Sequence, residues 1–267
     1  MNRLLGFLFF LGLSSIVCSE EKFDSHLPRP LILEFPETHE SQLKGLEDDE
    51  LRLQCSSWRF AAEANNLNSW STIPPECAEY VKDYMTSRAY TFDLERVSIE
   101  ATTYARSLQL VGDGMDAWVF DIDETLLSNL PYYIDHGFGL EVFDGREFDK
   151  WVEKATASAI ESSSKLYEEV LGLGFKVFLL TGRSEKHRSV TVENLRNAGF
   201  QYWDKLILRA LEDHGKTATL YKSERRSEMV KEGYRILGNS GDQWSDLLGY
   251  TMSIRSFKLP NPMYYIP

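Results

Sequence analysis

Cysteine is scarce in this sequence, and a hydrophobic run long enough to cross a membrane is absent after the first residues. Three cysteines occur among 267 residues. No segment beyond residue 17 approaches the roughly 18 uncharged apolar residues that suggest a membrane helix, so we predict no membrane partner. Positive charge is also in short supply, with 29 Lys and Arg against 41 Asp and Glu and a net charge of −12. That balance excludes general affinity for nucleic acid or an anionic membrane surface.

The first residues are typical of a signal peptide. Arg3 precedes an apolar run from Leu4 to Val17, and Val17-Cys18-Ser19 places small residues before Glu20. A short basic region, an apolar region and small residues at the end are the parts that signal peptidase requires. We therefore predict a cleaved signal peptide over residues 1–19 and a secreted or vacuolar protein. The alternative is an uncleaved anchor, for which the apolar run is too short to be convincing.

After the signal peptide, an acidic and proline-rich stretch precedes the folded part of the chain. Residues 20–54 predict an extended lead-in, and residues 55–267 predict one domain. Its 43% of hydrophobic residues, with 15 Phe and 13 Tyr, can fill a substantial core. Cys55 and Cys77 remain after Cys18 is removed with the signal peptide. An even number of cysteines in an oxidising compartment predicts a disulfide between them, the alternative being two free buried thiols.

Strand and helix patterns alternate along most of the domain. Residues 76–110 predict one or two amphipathic helices, an N-terminal helical extension. From 117 to 258, apolar strands alternate with helices, which predicts an α/β fold with a doubly wound parallel sheet. Residues 129–160 contain Pro131 and three glycines and are too long for a strand-to-helix loop. We predict a cap inserted there, either a lid over a site or a structural excursion with no gating role.

Polar residues follow three of the predicted strands. Asp121 and Asp123 follow the first, Thr181 the second and Asp242 a later one. Because the carboxyl ends of parallel strands share one edge of the sheet, these side chains are predicted to meet there. Asp121 and Asp123, at positions i and i+2, point the same way along an extended chain. Two carboxylates so close need a cation, a shared proton or strong donors.

A lysine at a helix start, Lys222, and the sequence Gly-Asp-x-x-x-Asp complete an ordered set. The set resembles motifs I to IV of the haloacid-dehalogenase-like (HAD-like) superfamily. The likeness narrows to the plant acid phosphatase and vegetative storage protein family, a class B-type group in subfamily IIIB, and covers roughly residues 55 to 267. The stretches that carry it are Phe120–Tyr133, Phe178–Arg183, Trp203–Arg209, Tyr221–Glu224, Gly238–Leu247 and Ser256–Ile266.

The resemblance implies a role for each motif residue. Asp121 would be the nucleophile and a Mg²⁺ ligand, and Asp123 would bind the metal through its backbone carbonyl while its carboxyl acts as general acid and base. A pKa raised by the neighbouring carboxylates would help Asp123 hold a proton. Asp242 would be a further ligand, and Asp246 a ligand or an anchor for one. The residues implied in phosphate binding are Thr181, Gly182 and Lys222.

Each of these roles has a structural alternative. Thr181 and Asp242 can cap neighbouring helices, Lys222 can be a solvated helix residue, and Asp246 can be a surface ion partner. Arg183 is interpreted as structural or as a charge beside the phosphate. His136 falls in the predicted cap, where it could contact substrate. The Arg-His-Gly motif of acid phosphatases with a histidine nucleophile does not occur.

The function implied by the resemblance is a secreted or vacuolar, Mg²⁺-dependent acid phosphatase that acts on small phosphomonoesters. The alternative is a vegetative storage protein with weak or vestigial activity, since the family contains both. Storage members can lack the nucleophilic aspartate, and here Asp121 is present. Aromatic residues near the C-terminus would permit a homodimer without requiring one.

Overall fold

The computed structural model describes residues 40–67 and 69–267, with side chains described from residue 47. The predicted signal peptide and residues 20–39 lie outside this part of the chain. Within it, residues 40–54 are not extended, because a helix, α1, runs over Glu40–Glu63. The prediction of an extended lead-in is therefore wrong for this stretch, and its boundary at residue 55 falls inside a helix. The stretch lacks proline and glycine except for Gly45, so its many charged residues are compatible with a solvated helix.

A five-stranded parallel sheet forms the centre of the molecule. Its strands are β1 (Asp116–Phe120), β4 (Lys176–Ser184), β5 (Lys205–Arg209), β6 (Arg235–Gly241) and β7 (Arg255–Lys258). They lie in the order β5-β4-β1-β6-β7, with β1 in the middle. All five residues of β1 are buried. This explains why residues 117–120 are a continuous apolar run rather than an alternating one.

Helices cover both faces of the sheet. Those that follow α1 are α2 (Ala78–Thr86), α3 (Arg88–Ser107), α4 (Leu130–Asp135), α5 (Gly145–Val152), α6 (Glu161–Leu173), α7 (Arg188–Asn197), α8 (Ala218–Lys231) and α9 (Trp244–Leu247). Trp118 and Phe120 of β1 face a core shared with α3, α6 and α7. Ala117 and Val119 point to the opposite face, where Tyr221 and Met229 of α8 pack. The predicted doubly wound α/β fold is confirmed.

A second, mainly aromatic core joins the N-terminal helices, the segment after β1 and the C-terminal segment. Short strands β2 (Leu127–Ser128) and β3 (Ser158–Ala159) pair antiparallel and bracket that segment after β1. It contains α4 and α5, so it is a folded excursion and not a loop. Its role as a lid remains a prediction. None of the helices in the described part of the chain is long and apolar enough to cross a membrane.

The disulfide predicted between Cys55 and Cys77 is present. It joins α1 to the turn that leads into α2, and both cysteines are buried. Replacing both with alanine is expected to lower the free energy of unfolding by about 3 kcal/mol, because the cross-link limits the unfolded chain. Urea unfolding of the variant and of the parent, each with and without reductant, measures this. Equal midpoints for the oxidised parent and the variant would contradict it.

Candidate active site

Three carboxylates meet at the carboxyl end of the sheet. Asp121 directly follows β1, Asp242 directly follows β6, and Asp246 lies in the short helix α9 after it. Each is buried, and one carboxylate oxygen from each lies within 4.8 Å of the others. The backbone N–H of Asp121 still donates to Ser240 of β6, at 2.9 Å. The parallel pairing of β1 and β6 therefore brings together residues that are 121 and more positions apart along the chain.

Lys222 provides the positive charge within this cluster. It lies in the second turn of α8, and its buried ammonium donates to Asp121 at 2.6 Å. The same ammonium also donates to Asp246. Burial alone would lower the pKa of Lys222, but attraction by the two carboxylates raises it overall. Lys222 is thus a charged group of the site, and the alternative of a solvated helix lysine is wrong.

Asp242 and Asp246 are held by the turn after β6. The carboxylate of Asp246 accepts from the backbone N–H of Gln243 at 2.9 Å, which makes it part of a capping box at the start of α9. Asp242 accepts from Gln243 at 2.8 Å and from Asn261 at 2.7 Å. Gln243, rather than Asp242, is the N-cap residue. A Cβ on Gly241 would lie 2.4 Å from the Asp246 Cβ, so only glycine permits this approach.

The Asp123 carboxylate turns away from the other three and toward Arg183. Arg183 donates to it through Nη2 at 2.7 Å and through Nε at 3.1 Å. Asn129 donates to the same carboxylate at 2.9 Å. Burial raises the pKa of Asp123, but the Arg183 guanidinium and these hydrogen bonds outweigh it, so the pKa lies below its ordinary value. The sequence-based expectation of a raised pKa is therefore wrong for the protein without substrate.

Thr181 and Gly182 lie beside this pair, near the end of β4. The Thr181 hydroxyl is fully buried, accepts from the backbone N–H of Arg183 at 3.0 Å and lies 3.5 Å from Asp123. Thr181 belongs to the strand itself, so it does not cap the following helix. Gly182 is exposed and lines the cavity described below. Two of the three residues predicted to bind phosphate, Thr181 and Gly182, thus lie on the Asp123 side of the site, whereas Lys222 lies in the carboxylate cluster.

Glu124 is a site residue that the sequence argument did not identify. It adopts a left-handed backbone conformation, with φ of 50°, and its side chain is buried. Its carboxyl accepts from the backbone and side chain of Asn129 at 2.5 and 2.9 Å, and from Tyr264 at 3.0 Å. Asn129 in turn accepts from Trp151 of the excursion at 2.8 Å. Glu124 and Asn129 therefore connect the site to the excursion and to the C-terminal segment.

A cavity of about 750 Å³ opens above these groups. Asp121, Asp123, Arg183 and Lys222 line its inner end. Its outer walls are largely apolar and come from three separate parts of the chain. They include Trp70, Tyr133, Val142, Phe143, Phe148, Tyr264 and Tyr265. The volume leaves room for a phosphate group and for the organic part of an ester.

Residues 39–267 match the model of the HAD superfamily, subfamily IIIB (acid phosphatase). The chain belongs to this family. Acid phosphatase 1 of Solanum lycopersicum is 65% identical over 258 residues, covering 96% of this chain and 98% of that protein. The Stem 28 kDa glycoprotein of Glycine max is 44% identical over 216 residues, 80% of this chain and 84% of that one. The family and the enzyme class predicted from the sequence are confirmed.

Two further comparisons place this phosphatase among its relatives. Vegetative storage protein 2 of Arabidopsis thaliana is 39% identical over 227 residues, covering 83% of this chain and 85% of that protein. The structure of the class C acid phosphatase from Bacillus anthracis superposes with a TM-score of 0.58 at 21% identity, over 70% of this chain and 84% of that one. The second comparison shows a shared fold.

The acidic cluster of this phosphatase has the composition of a divalent-cation site. The cluster contains three buried carboxylates, and one ammonium pairs with two of them, so it carries excess negative charge when ionised. All of its free ligand atoms are oxygens, which suits a hard cation. Burial raises the pKa of Asp121 well above its ordinary value against the opposing effect of Lys222, and burial with the charge of Asp246 raises that of Asp242 to about 7. A bound cation would favour the ionised carboxylates.

These pKa values predict how pH affects the metal-free protein. Because the native Asp242 binds its proton more tightly than the unfolded chain does, the free energy of unfolding should fall as pH rises from about 4 through 7. Asp242 alone contributes on the order of 4 kcal/mol to that loss. Urea unfolding in chelator at pH 5 and pH 8 measures it, with Asp242→Asn as the comparison. Stability that increases over this interval in chelator would contradict the assignment.

Proposed function

We propose that this chain hydrolyses small phosphomonoesters with Mg²⁺, through a phosphorylated Asp121. The observation that carries the proposal is the buried contact of Lys222 with Asp121, inside a cluster with Asp242 and Asp246 at the inner end of an open cavity. An isolated carboxylate would be repelled by a phosphate dianion. Asp121, Asp242 and the Asp123 carbonyl would hold Mg²⁺, which supplies the positive charge that offsets this repulsion. Asp246 supports the set through Lys222 and the capping box.

In the first step, an Asp121 oxygen forms a bond to phosphorus while the bond from phosphorus to the alcohol oxygen breaks. The departing oxygen takes a proton from Asp123. In the second step, Asp123 removes a proton from water, whose oxygen displaces Asp121 and releases inorganic phosphate. Thr181, the Gly182 N–H and Lys222 bind the phosphate oxygens in both steps.

Arg183 determines when Asp123 can hold that proton. Without substrate, its guanidinium keeps Asp123 ionised. A phosphate dianion bound beside Arg183 would share that positive charge and would raise the pKa of Asp123 toward the value that a general acid needs. This dependence favours operation at acidic pH, where protonation of Asp123 requires the smallest shift.

A role in storage is the second candidate, and it is supported by the names of the relatives. Vegetative storage protein 2 and vegetative storage protein 1 of Arabidopsis thaliana are 39% and 41% identical to this chain. Weak turnover by a protein that accumulates to high abundance in vegetative tissue would favour storage, and tissue abundance is the measurement that decides. For location, we propose secretion or delivery to the vacuole. The disulfide suits either compartment.

The test of the enzymatic proposal is hydrolysis of an aryl phosphate by purified protein across pH 4–7, with Mg²⁺ or with chelator. We expect turnover that requires the added cation, because the buried acidic cluster otherwise repels the substrate. Activity should return when Mg²⁺ replaces the chelator, which separates loss of the cation from unfolding. No turnover anywhere in this pH range would refute the enzymatic function. Full turnover in chelator would refute the metal dependence alone.

A further inference from the structure

The cavity contains an arginine that the proposed mechanism does not use. Arg209 is the last residue of β5, and it lines the cavity together with His214 and Ala218. The cavity's other arginine and its lysine already have carboxylate partners and roles in the proposed mechanism. Arg183 pairs with Asp123, and Lys222 bridges Asp121 and Asp246. In the described part of the chain, Arg209 has no carboxylate within ion-pair distance. Its charge is therefore available to a ligand.

The surroundings of Arg209 hold its guanidinium in place without neutralising it. Nη2 donates to the backbone oxygen of Lys216 at 2.7 Å, and the guanidinium carbon lies 5.0 Å from the centroid of the Tyr221 ring. Its Nε is buried and has no hydrogen-bond partner. A partly desolvated cation gains more from an anion than a solvated one does. These contacts leave the charge of Arg209 at the cavity wall without a carboxylate partner.

Arg209 is set apart from the position of the reacting phosphate. Phe120 of β1, Leu179 of β4 and Leu206 of β5 form one row across the sheet. Asp121 follows that row on β1, whereas Arg209 lies beyond it on β5, two strands away. Two strand spacings amount to about 10 Å. A phosphate bound at Asp121 is therefore expected to leave Arg209 free for a different part of the same molecule.

We propose that Arg209 binds a second anionic group of the substrate, so that the preferred phosphomonoesters carry a carboxylate or another phosphate on their alcohol part. This inference rests on the proposed function and adds a substrate class to it. In a protein of net charge −12, an unpaired cation inside the cavity favours such substrates over neutral esters of the same shape. Arg209 would act on binding, since it lies two strands away from the strand that leads into Asp121.

Matched esters test this inference. The kcat/KM for para-carboxyphenyl phosphate should exceed that for phenyl phosphate, and Arg209→Gln should reduce this ratio about ten- to a hundredfold, mainly through KM. Arg209→Lys should restore part of it. Propanediol bisphosphate compared with hydroxypropyl phosphate repeats the test with a second phosphate. Whichever pair shows the larger dependence on Arg209 identifies the preferred anion.

Arg225→Gln is the matched control. Its guanidinium also lies near Tyr221, at 5.8 Å from the ring centroid, but it pairs with Asp213 and Glu228 and does not line the cavity. It should leave the substrate ratio unchanged. An equal ratio of kcat/KM in the parent and in Arg209→Gln overturns the inference. This includes the case in which both esters lose activity equally, since Arg209 would then act on the reacting phosphate.

Binding of phosphonates separates this inference from the proposed function. Para-carboxybenzyl phosphonate and benzyl phosphonate cannot be hydrolysed, and calorimetry measures their affinities directly. A preference for the carboxylated compound that Arg209→Gln removes would support the anion site even if no ester were turned over. Equal affinities of the parent for the two phosphonates would overturn the site, whatever the activity.

Discussion

Replacing Asp121 with asparagine is expected to abolish turnover of an aryl phosphate, with kcat lowered at least about a thousandfold. Asparagine has nearly the same shape, but its amide does not attack phosphorus at a useful rate. The substitution also removes one of the three carboxylates of the cluster, so the affinity for Mg²⁺ should fall. Steady-state kinetics at saturating Mg²⁺ measure the first effect, and calorimetric titration with Mg²⁺ measures the second.

Asp123→Asn is the matched variant, because it changes the neighbouring carboxylate by the same single atom. Turnover should also fall, by about a hundred- to ten-thousandfold, since both proton transfers use this group. Its metal affinity should remain close to that of the parent, because the Asp123 carboxylate faces Arg183 and Asn129 rather than the cluster. Equal loss of metal affinity in the two variants would contradict this division of roles. Residual activity near the parent level in Asp121→Asn would exclude it as the nucleophile.

Much of the fold can be predicted from the sequence, because the strand and helix patterns along the chain agree with the order of elements in the doubly wound sheet. The short apolar runs at β1 and β4 are typical of buried strands, and the helices between strands favour right-handed crossovers and a parallel sheet. For residues 40–54 the prediction of an extended lead-in is wrong, since the charged composition of this stretch resembles that of a disordered segment. Part of what fixes its helix is tertiary: Lys258 and the backbone of Asn261 bind Glu63 at the end of α1, both at 2.8 Å. No local sequence pattern predicts these long-range contacts.

The candidate site also has a part that the sequence predicts and a part that depends on tertiary packing. Parallel strands bring their carboxyl ends together, so Asp121, Thr181 and Asp242 could be placed at one edge without coordinates. The direction in which Asp123 turns could not, because it depends on Arg183 reaching back past Thr181. Tyr264 donates to Glu124 across 140 positions of sequence, and although both residues lie in stretches that carry the family resemblance, neither stretch shows that the two side chains meet. Motif order thus predicts which residues meet, whereas their pairing depends on side-chain directions that only the packed structure fixes.

Replacing Lys222 with methionine is expected to cause the largest loss of stability among single substitutions at the site. Methionine keeps the length of the side chain, but Asp121 and Asp246 lose the ammonium that both contact. Removing one partner of a buried ion pair typically costs about 3–5 kcal/mol. The pKa of Lys222 is raised, so this stabilisation is fully present below the ordinary lysine value of 10.5. Urea unfolding in chelator at neutral pH therefore measures it.

The response to Mg²⁺ distinguishes a charge effect from a packing effect. If the loss in Lys222→Met comes from uncompensated carboxylates, a divalent cation should restore part of the stability and should bind the variant more tightly than it binds the parent. Turnover should nevertheless stay at least about a hundredfold low, since the charge beside the phosphate is missing. Lys231→Met, an exposed lysine at the end of the same helix, should change stability by about 0.5 kcal/mol or less. A deficit in Lys222→Met that Mg²⁺ leaves unchanged would mean that Lys222 fills space in this site rather than balancing its charge.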